Sequence, residues 1–271
     1  MRIGIIGAEN SHAAAIAKII NVDKRIKGFS VEYIWGESGS AARTAAKAGQ
    51  IPQIVQKPRE MLGLADAIVV DHRHAKHHLP AAKPFAQQGV PIFVDKPFCY
   101  RSEEGEAFIK LCRRAGAPLA SFGIVPRQKS FARFQKKLAG MGLVLAASTY
   151  GPCDLDNPWG GVFFYGIHQV ETVLLAFGYD VREVELSTHA GKNATAQLFY
   201  ASGLIVSMHL IREGCPGFGV QAVCTQGSVH MPLTLDENPY LSGVKMFTRM
   251  FKTGEPPLTD KQLMMPVRVL E

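Results

Sequence analysis

Six short apolar runs, at residues 2–6, 30–35, 51–55, 67–70, 91–94 and 119–123, are separated by stretches of helical pattern, and this alternation restricts what the first half of the chain can become. The segment Val90-Pro91-Ile92-Phe93-Val94 shows no polar/apolar alternation, so it reads as a strand buried on both faces, the habit of parallel sheets. Parallel strands need crossover connections, and residues 11–20, 40–48, 58–62, 79–88 and 102–115 supply helices for them, the first capped by Asn10 or Ser11. The expected fold class over residues 1–122 is α/β, a doubly wound parallel sheet.

Beyond residue 125 the texture changes. Residues 143–150, 181–188, 194–200, 203–211 and 218–225 alternate or run apolar with β-forming residues, and turns such as Ala201-Ser202-Gly203 and Thr225-Gln226-Gly227 separate them. Residues 123–271 are therefore expected to form a second, α+β domain around a mainly antiparallel open sheet. Between its first two strands lies a loop rich in Gly, Pro and Asn, then a helix from Gly166; a further helix is expected at 241–252, ahead of a final segment at 260–271.

At 271 residues and 47% hydrophobic content the chain can bury a large core without covalent staples. Its five cysteines are odd in number and lack Cys-x-x-Cys spacing, which argues against a disulfide framework and a structural zinc site alike and fits the reducing cytoplasm. No apolar run reaches membrane-spanning length. The net charge of +7 is scattered over small groups (Lys24, Arg25 and Lys27; Arg113 and Arg114; Lys136 and Lys137) with no aromatic-interleaved basic tract, so neither nucleic acid nor a membrane is an expected partner.

In open α/β sheets ligands bind in the crevice beyond the carboxyl ends of the strands. Asp95-Lys96-Pro97 stands at such an end, with Pro97 holding Lys96 extended by excluding the α region. Gly7 closes the first strand, and Ala8-Glu9-Asn10-Ser11-His12 leads into the first helix, whose N-terminus offers free N–H groups to an anion. Against the dinucleotide pattern Gly-x-Gly-x-x-Gly, Glu9 stands in the second glycine's place and His12 in the third's. Glu37 and Ser38 follow the second strand, where a carboxylate reads a ribose 2′-hydroxyl; Arg43, farther on, offers the alternative of a 2′-phosphate. After the fourth strand comes Asp71-His72-Arg73-His74-Ala75-Lys76-His77-His78, of which Asp71, His72, His74 and His78 read as a loop contacting cofactor. His74 and His78 share a face if helical, but Arg73 and Lys76 repel a cation, and no metal is expected there.

The first-strand loop, His78 ahead of Ala81-Ala82, Gly89 before Asp95-Lys96-Pro97, Gly160-Gly161, Gly166-Ile167-His168 and Gly254-Glu255-Pro256-Pro257 together resemble the Gfo/Idh/MocA oxidoreductases over nearly the whole chain. The resemblance implies an N-terminal Rossmann domain for NAD or NADP, a C-terminal substrate-binding and oligomerising domain, and hydride transfer between nicotinamide and a hydroxyl or carbonyl of a sugar, cyclitol or related polyol. It places Lys96 and His168 on the family's catalytic lysine and histidine. A histidine titrating near neutrality is suited to take the hydroxyl proton, and an ammonium to steady the oxygen's developing charge. Asp154, Asn157, Trp159 and Tyr165 are the expected substrate contacts beside Lys96 and His168, and Glu171, one helical turn on, is placed to orient the imidazole. Glu37 favours NAD.

Phe164 stands where the family has an aspartate, and Asp95 replaces a glutamate. With Glu9 and His12 these departures support a second reading, a catalytically degenerate member that binds a sugar or nucleotide or regulates. A third reading is a metal-assisted enzyme using residues 72–78 with His168 and Glu171. A homodimer or homotetramer is expected, since the open sheet leaves one face to be covered.

Overall fold

The computed structural model describes residues 1–189 and 193–271. The chain divides into two compact units, Met1–Phe122 with Tyr240–Val267, and Gly123–Pro239 with Arg268–Glu271.

The first unit is built on six strands: β1 (Arg2–Ile6), β2 (Ser30–Trp35), β3 (Gln53–Ile54), β4 (Ala67–Val70), β5 (Ile92–Val94) and β6 (Leu119–Ser121). They lie in the order β3-β2-β1-β4-β5-β6, every pair parallel. This is the doubly wound sheet expected, with its order reversing beside β1 and β4. All residues of β4, β5 and β6 are buried, which is why β4 and β5 read as unbroken apolar runs. The crossovers are α1 (Ser11–Ala17, continuing as a π turn to Val22), α2 (Gly39–Gly49), α3 (His78–Ala86) and α4 (Ser102–Ala115).

The second unit carries α5 (Lys129–Leu138), β7 (Val144–Pro152), α6 (Val162–Phe177), β8 (Val181–His189), β9 (Asn193–Tyr200), β10 (Ile205–Ile211), β11 (Phe218–Cys224) and β12 (Gly227–Leu233). Its sheet runs β12-β11-β7-β10-β9-β8, antiparallel except where β7 and β10 pair in parallel. β12 adds an edge strand to the five expected; Pro232 disguised it in the sequence, and an edge position tolerates the missing donor.

The chain finishes with α7 (Leu241–Thr253) and α8 (Asp260–Leu270). Residues 240–267, expected with the second domain, belong instead to the first unit. The cause is apolar: Val244, Phe247, Met250 and Phe251 on α7 are buried in one cluster with Ile5, Val69, Phe93 and Phe122, and the Phe247 ring stacks on Phe93 at 4.6 Å. α8 adds Met264, whose thioether fills the space beside Gly105 and Cys99.

Candidate functional site

In the first unit the candidate residues gather at the carboxyl ends of β1, β2, β4 and β5. Gly7 ends β1 with φ +109°, and a Cβ there would lie 2.6 Å from the Asp71 carbonyl carbon, so both conformation and space require glycine. Past it, the backbone N–H groups of Ala8 and Glu9 converge on one atom: both donate to Glu37 Oε2, at 2.8 and 3.2 Å. The loop is thus a working anion receptor with the carboxylate of the β2 end seated on it. Gly36 permits that approach, since a Cβ there would come within 2.7 Å of the Ala8 side chain. Ser38 caps α2, accepting from Ala41 N at 3.2 Å.

Asn10 occupies the N-cap position of α1 but makes no capping bond. Its amide donates to Asp71 Oδ1 at 3.0 Å and to Asp95 Oδ2 at 3.3 Å. His12, expected to mar the loop, faces those same carboxylates, with Nδ1 3.1 Å from each Asp95 oxygen and 3.9 Å from Asp71 Oδ1. Burial, and then the neighbouring Asp95, hold the Asp71 carboxyl well above the usual carboxylate range. Burial also pushes Asp95 upward, but His12, by charge and hydrogen bond, and then Lys96 outweigh it and hold that group below the usual range. The two adjacent acids are thereby pushed in opposite directions by one shared environment. Lys96 is itself buried, directly after Asp95.

The histidine-rich segment is largely structural. Buried His78 lies between two carbonyl oxygens, with Nδ1 2.9 Å from Pro97 O and Nε2 2.8 Å from His72 O, tying the end of β4 to the end of β5. His74 Nδ1 accepts from Lys76 N at 3.2 Å, and its ring meets Tyr100 edge-on at 5.0 Å. His72 packs against Trp35 at 5.8 Å, and burial, helped by His78 and His77, drives its pKa down to about 3. With both nitrogens of His78 and one of His74 set against backbone, the pair that a helical face would offer a metal is already engaged.

In the second unit, Gly161 with φ +60° turns the loop into α6, which begins at Val162, four residues ahead of the expected start. His168 is buried on α6, its ring edge-on to Tyr165 at 5.8 Å and to Phe218 at 5.4 Å. Gln169 anchors the helix to the sheet, donating to Gly151 O and His209 O and accepting from Thr149 Oγ1 at 2.8 Å. Glu171, expected to orient the imidazole, takes the Gly123 N–H on both carboxylate oxygens, at 2.9 and 2.8 Å. Arg127 donates to the carbonyl of the same Gly123 at 3.2 Å.

A cavity of about 180 Å³ opens beside α6, lined by Cys153, Asp154, Asn157, Phe164, Tyr165 and Arg212 among others. It gathers three of the expected substrate contacts and leaves Trp159 and His168 outside its lining. Asp154 and Asn157 also shape their own loop, accepting from Asp156 N and Trp159 N. Arg212 escaped sequence reasoning: it follows β10 and pairs with Asp154 at 3.3 Å and Asp156 at 3.0 Å. The signal for it was a cation directly after the apolar run 203–211. Burial pushes the Cys153 thiol up to about 11, which makes it a packing residue rather than a nucleophile.

No curated protein matches the chain in sequence. In fold, solved structures similar to all of it include three dehydrogenases. Myo-inositol 2-dehydrogenase from Lactobacillus plantarum is 14% identical with a TM-score of 0.86, covering 100% of this chain and 95% of its own. Scyllo-inositol dehydrogenase from Lactobacillus casei, solved with bound cofactor NAD(H) and scyllo-inositol, is 13% identical with a TM-score of 0.84, covering 100% and 94%. The WlbA dehydrogenase from Bordetella pertussis, solved with NADH and UDP-GlcNAcA, is 18% identical with a TM-score of 0.79, covering 100% and 94%. At such identities the likeness establishes the architecture of both units. The sequence of the first unit adds a match of its own: residues 1–122 fit the Gfo/Idh/MocA family model, described as an oxidoreductase family with an NAD-binding Rossmann fold.

Proposed function

We propose that the protein is an NAD-dependent oxidoreductase that moves a hydride between nicotinamide and a hydroxyl or carbonyl of a cyclitol or sugar. The observation that carries this reading is the convergence of Ala8 N–H and Glu9 N–H on Glu37. A pyrophosphate oxygen suits that N–H pair, and Glu37, exposed and beside it, is placed to read a ribose hydroxyl while repelling a 2′-phosphate. NAD supplies the hydride acceptor when bound. In this reading Gly7, Ala8, Glu9, Asn10, Ser11 and His12 frame the pyrophosphate side, Glu37 and Ser38 the ribose side, and Asp71, His72, His74, His78, Asp95 and Pro97 the floor beneath.

The roles of Lys96 and His168 are part of the proposal. His168 takes or returns the proton of the reacting hydroxyl, and Lys96 steadies the charge on its oxygen. Asp154, Asn157, Trp159 and Tyr165 hold the polyol. Leu145, Leu186, Ile205 and Val223, exposed on strands of the second sheet, support self-association into a homodimer or homotetramer. Five free cysteines support a reducing compartment, the cytoplasm, and no helix is long and apolar enough to cross a membrane among the described residues.

The test is calorimetric titration with NAD, NADH, NADP and NADPH, followed by turnover assays on a panel of inositols and sugars. The expected result is binding of NAD(H) in preference to NADP(H), and loss of that preference in Glu37→Gln. Absence of binding by all four dinucleotides overturns the reading. Dinucleotide binding with no turnover on any polyol, unchanged in His168→Ala, favours the degenerate, ligand-binding alternative suggested by the carboxylate and imidazole groups crowding the start of α1.

A further inference from the structure

Three side chains meet at the start of α1. His12 Nδ1 lies 3.1 Å from Asp95 Oδ1 and 3.9 Å from Asp71 Oδ1, and one donor atom from each of the three residues falls within 4.8 Å of the other two. Asp71 is 0% exposed and Asp95 5%. Burying two carboxylates side by side is costly unless their lone pairs are met, and the described residues meet them only in part. One Asn10 amide nitrogen is shared between Asp71 Oδ1 and Asp95 Oδ2, and the Ala13 backbone N–H adds a bond to Asp71. The other oxygen of Asp71, Oδ2, is buried with no hydrogen-bond partner among the described residues. Asp71 thus carries an unsatisfied buried oxygen beside an imidazole and a second carboxyl, with the Lys96 charge acting on both acids, and a cation held directly by the three side chains would meet it.

We propose that His12, Asp71 and Asp95 bind a divalent transition-metal cation, Mn²⁺ or Zn²⁺. Bonds of about 2.1 Å set neighbouring donors about 3 Å apart and opposed donors about 4 Å apart; the His12–Asp95 and His12–Asp71 separations of 3.1 and 3.9 Å fall in that range, and the full set, within 4.8 Å, needs a small inward movement to close on an ion. One imidazole nitrogen with two carboxylate oxygens suits these ions better than calcium, which takes oxygen alone, or copper(I), which prefers sulfur. Asn10 serves as the outer partner that fixes both carboxylates in place. Three protein donors leave coordination positions open to water or to an anionic oxygen. The ligands come from β1–α1, the end of β4 and the end of β5, so the cation joins three segments far apart in the chain. The inference holds whether or not a dinucleotide binds.

The experiment uses the full chain, stripped with a chelator and titrated with MnCl₂ by electron paramagnetic resonance and with ZnCl₂ by calorimetry, in the absence of nucleotide. The expected result is one equivalent bound. Asn10→Ala should weaken binding by about 10–100-fold, as loss of an outer partner does, and Asp71→Asn and His12→Gln by more. Pulsed measurements on the wild-type Mn²⁺ complex should show coupling to one imidazole nitrogen, a readout that requires no variant to fold. The proposal is overturned by three results: no binding at millimolar metal, a bound Mn²⁺ without nitrogen coupling, or an affinity unchanged in folded Asp71→Asn and His12→Gln, which would put the ion on other residues.

Discussion

Glu171 offers the sharpest test of how the second unit is held together. Both of its carboxylate oxygens accept from Gly123 N–H, Arg127 donates to the carbonyl of that residue, and the charges of Glu171 and Arg127 support one another. In Glu171→Gln the side chain keeps an oxygen for the N–H, so the bond survives in neutral form. Exchanging a charged for a neutral acceptor loses about 1 kcal/mol. Arg127 is also left without its carboxylate. Breaking a fully buried ion pair costs about 3–5 kcal/mol, and Arg127, whose Nε is buried but which keeps some exposure as a residue and holds the Gly123 carbonyl as well, warrants less than half of that, about 1–2 kcal/mol. The expected destabilisation is about 2–3 kcal/mol. It can be read by urea titration in a Trp35→Phe background, where Trp159, in the second unit, is the fluorophore left to report. Adding Arg127→Met should recover part of the loss, giving a coupling of about 1 kcal/mol or more in the double-mutant cycle. A Glu171→Gln variant within about 0.5 kcal/mol of its background, or a cycle with no coupling, refutes the charge argument.

Gly7→Ala should abolish dinucleotide binding and lower the melting temperature, because φ +109° and the 2.6 Å approach to Asp71 leave a methyl group no room; near-normal binding by calorimetry counts against the loop as drawn. Phe247→Ala should destabilise the first unit by about 3–5 kcal/mol, read by Trp35 fluorescence in a Trp159→Phe background; an effect under 1 kcal/mol counts against α7 being part of that core. A Cys153 thiol with its pKa raised to about 11 is only about one part in a thousand thiolate at pH 8, so iodoacetamide should label it far more slowly in native protein than in urea. Its reactivity should climb as pH rises toward 11, since deprotonation is what burial opposes; rapid labelling of the native chain at pH 8 contradicts this.

The first sheet was legible because burial on both faces leaves a signature that partner strands cannot alter: β1 and β2 appear at the residues expected, and β5 within two. The second sheet was less so, because its information lies in pairing. Strand periodicity is two whichever way neighbours run, so nothing in residues 144–152 or 205–211 announced that β7 and β10 lie parallel. The destination of α7 was hidden for a similar reason. An apolar helical face states that it will be buried, not against which core. α5 escaped altogether, since Phe131, Phe134 and Leu138 are its only large apolar residues among lysines, arginine and glutamine.

The site divides along the same line. Residues that act through backbone, such as Gly7, could be read from spacing to the first helix, whereas residues that act through partners could not. His12 looked like a misplaced glycine until Asp95, 83 positions away, was found against its ring nitrogen. Glu171 looked like a partner for His168 because the helix sets them one turn apart, but its carboxylate meets the backbone N–H of a residue 48 positions away. Spacing on one element proposes contacts at no cost, and tertiary structure then spends each buried charge where its desolvation is best repaid. By that standard the departure at His12 is the informative one. A side chain that enters a glycine's place and meets two buried acids there turns the start of α1 into the place where the proposed cation is to be sought.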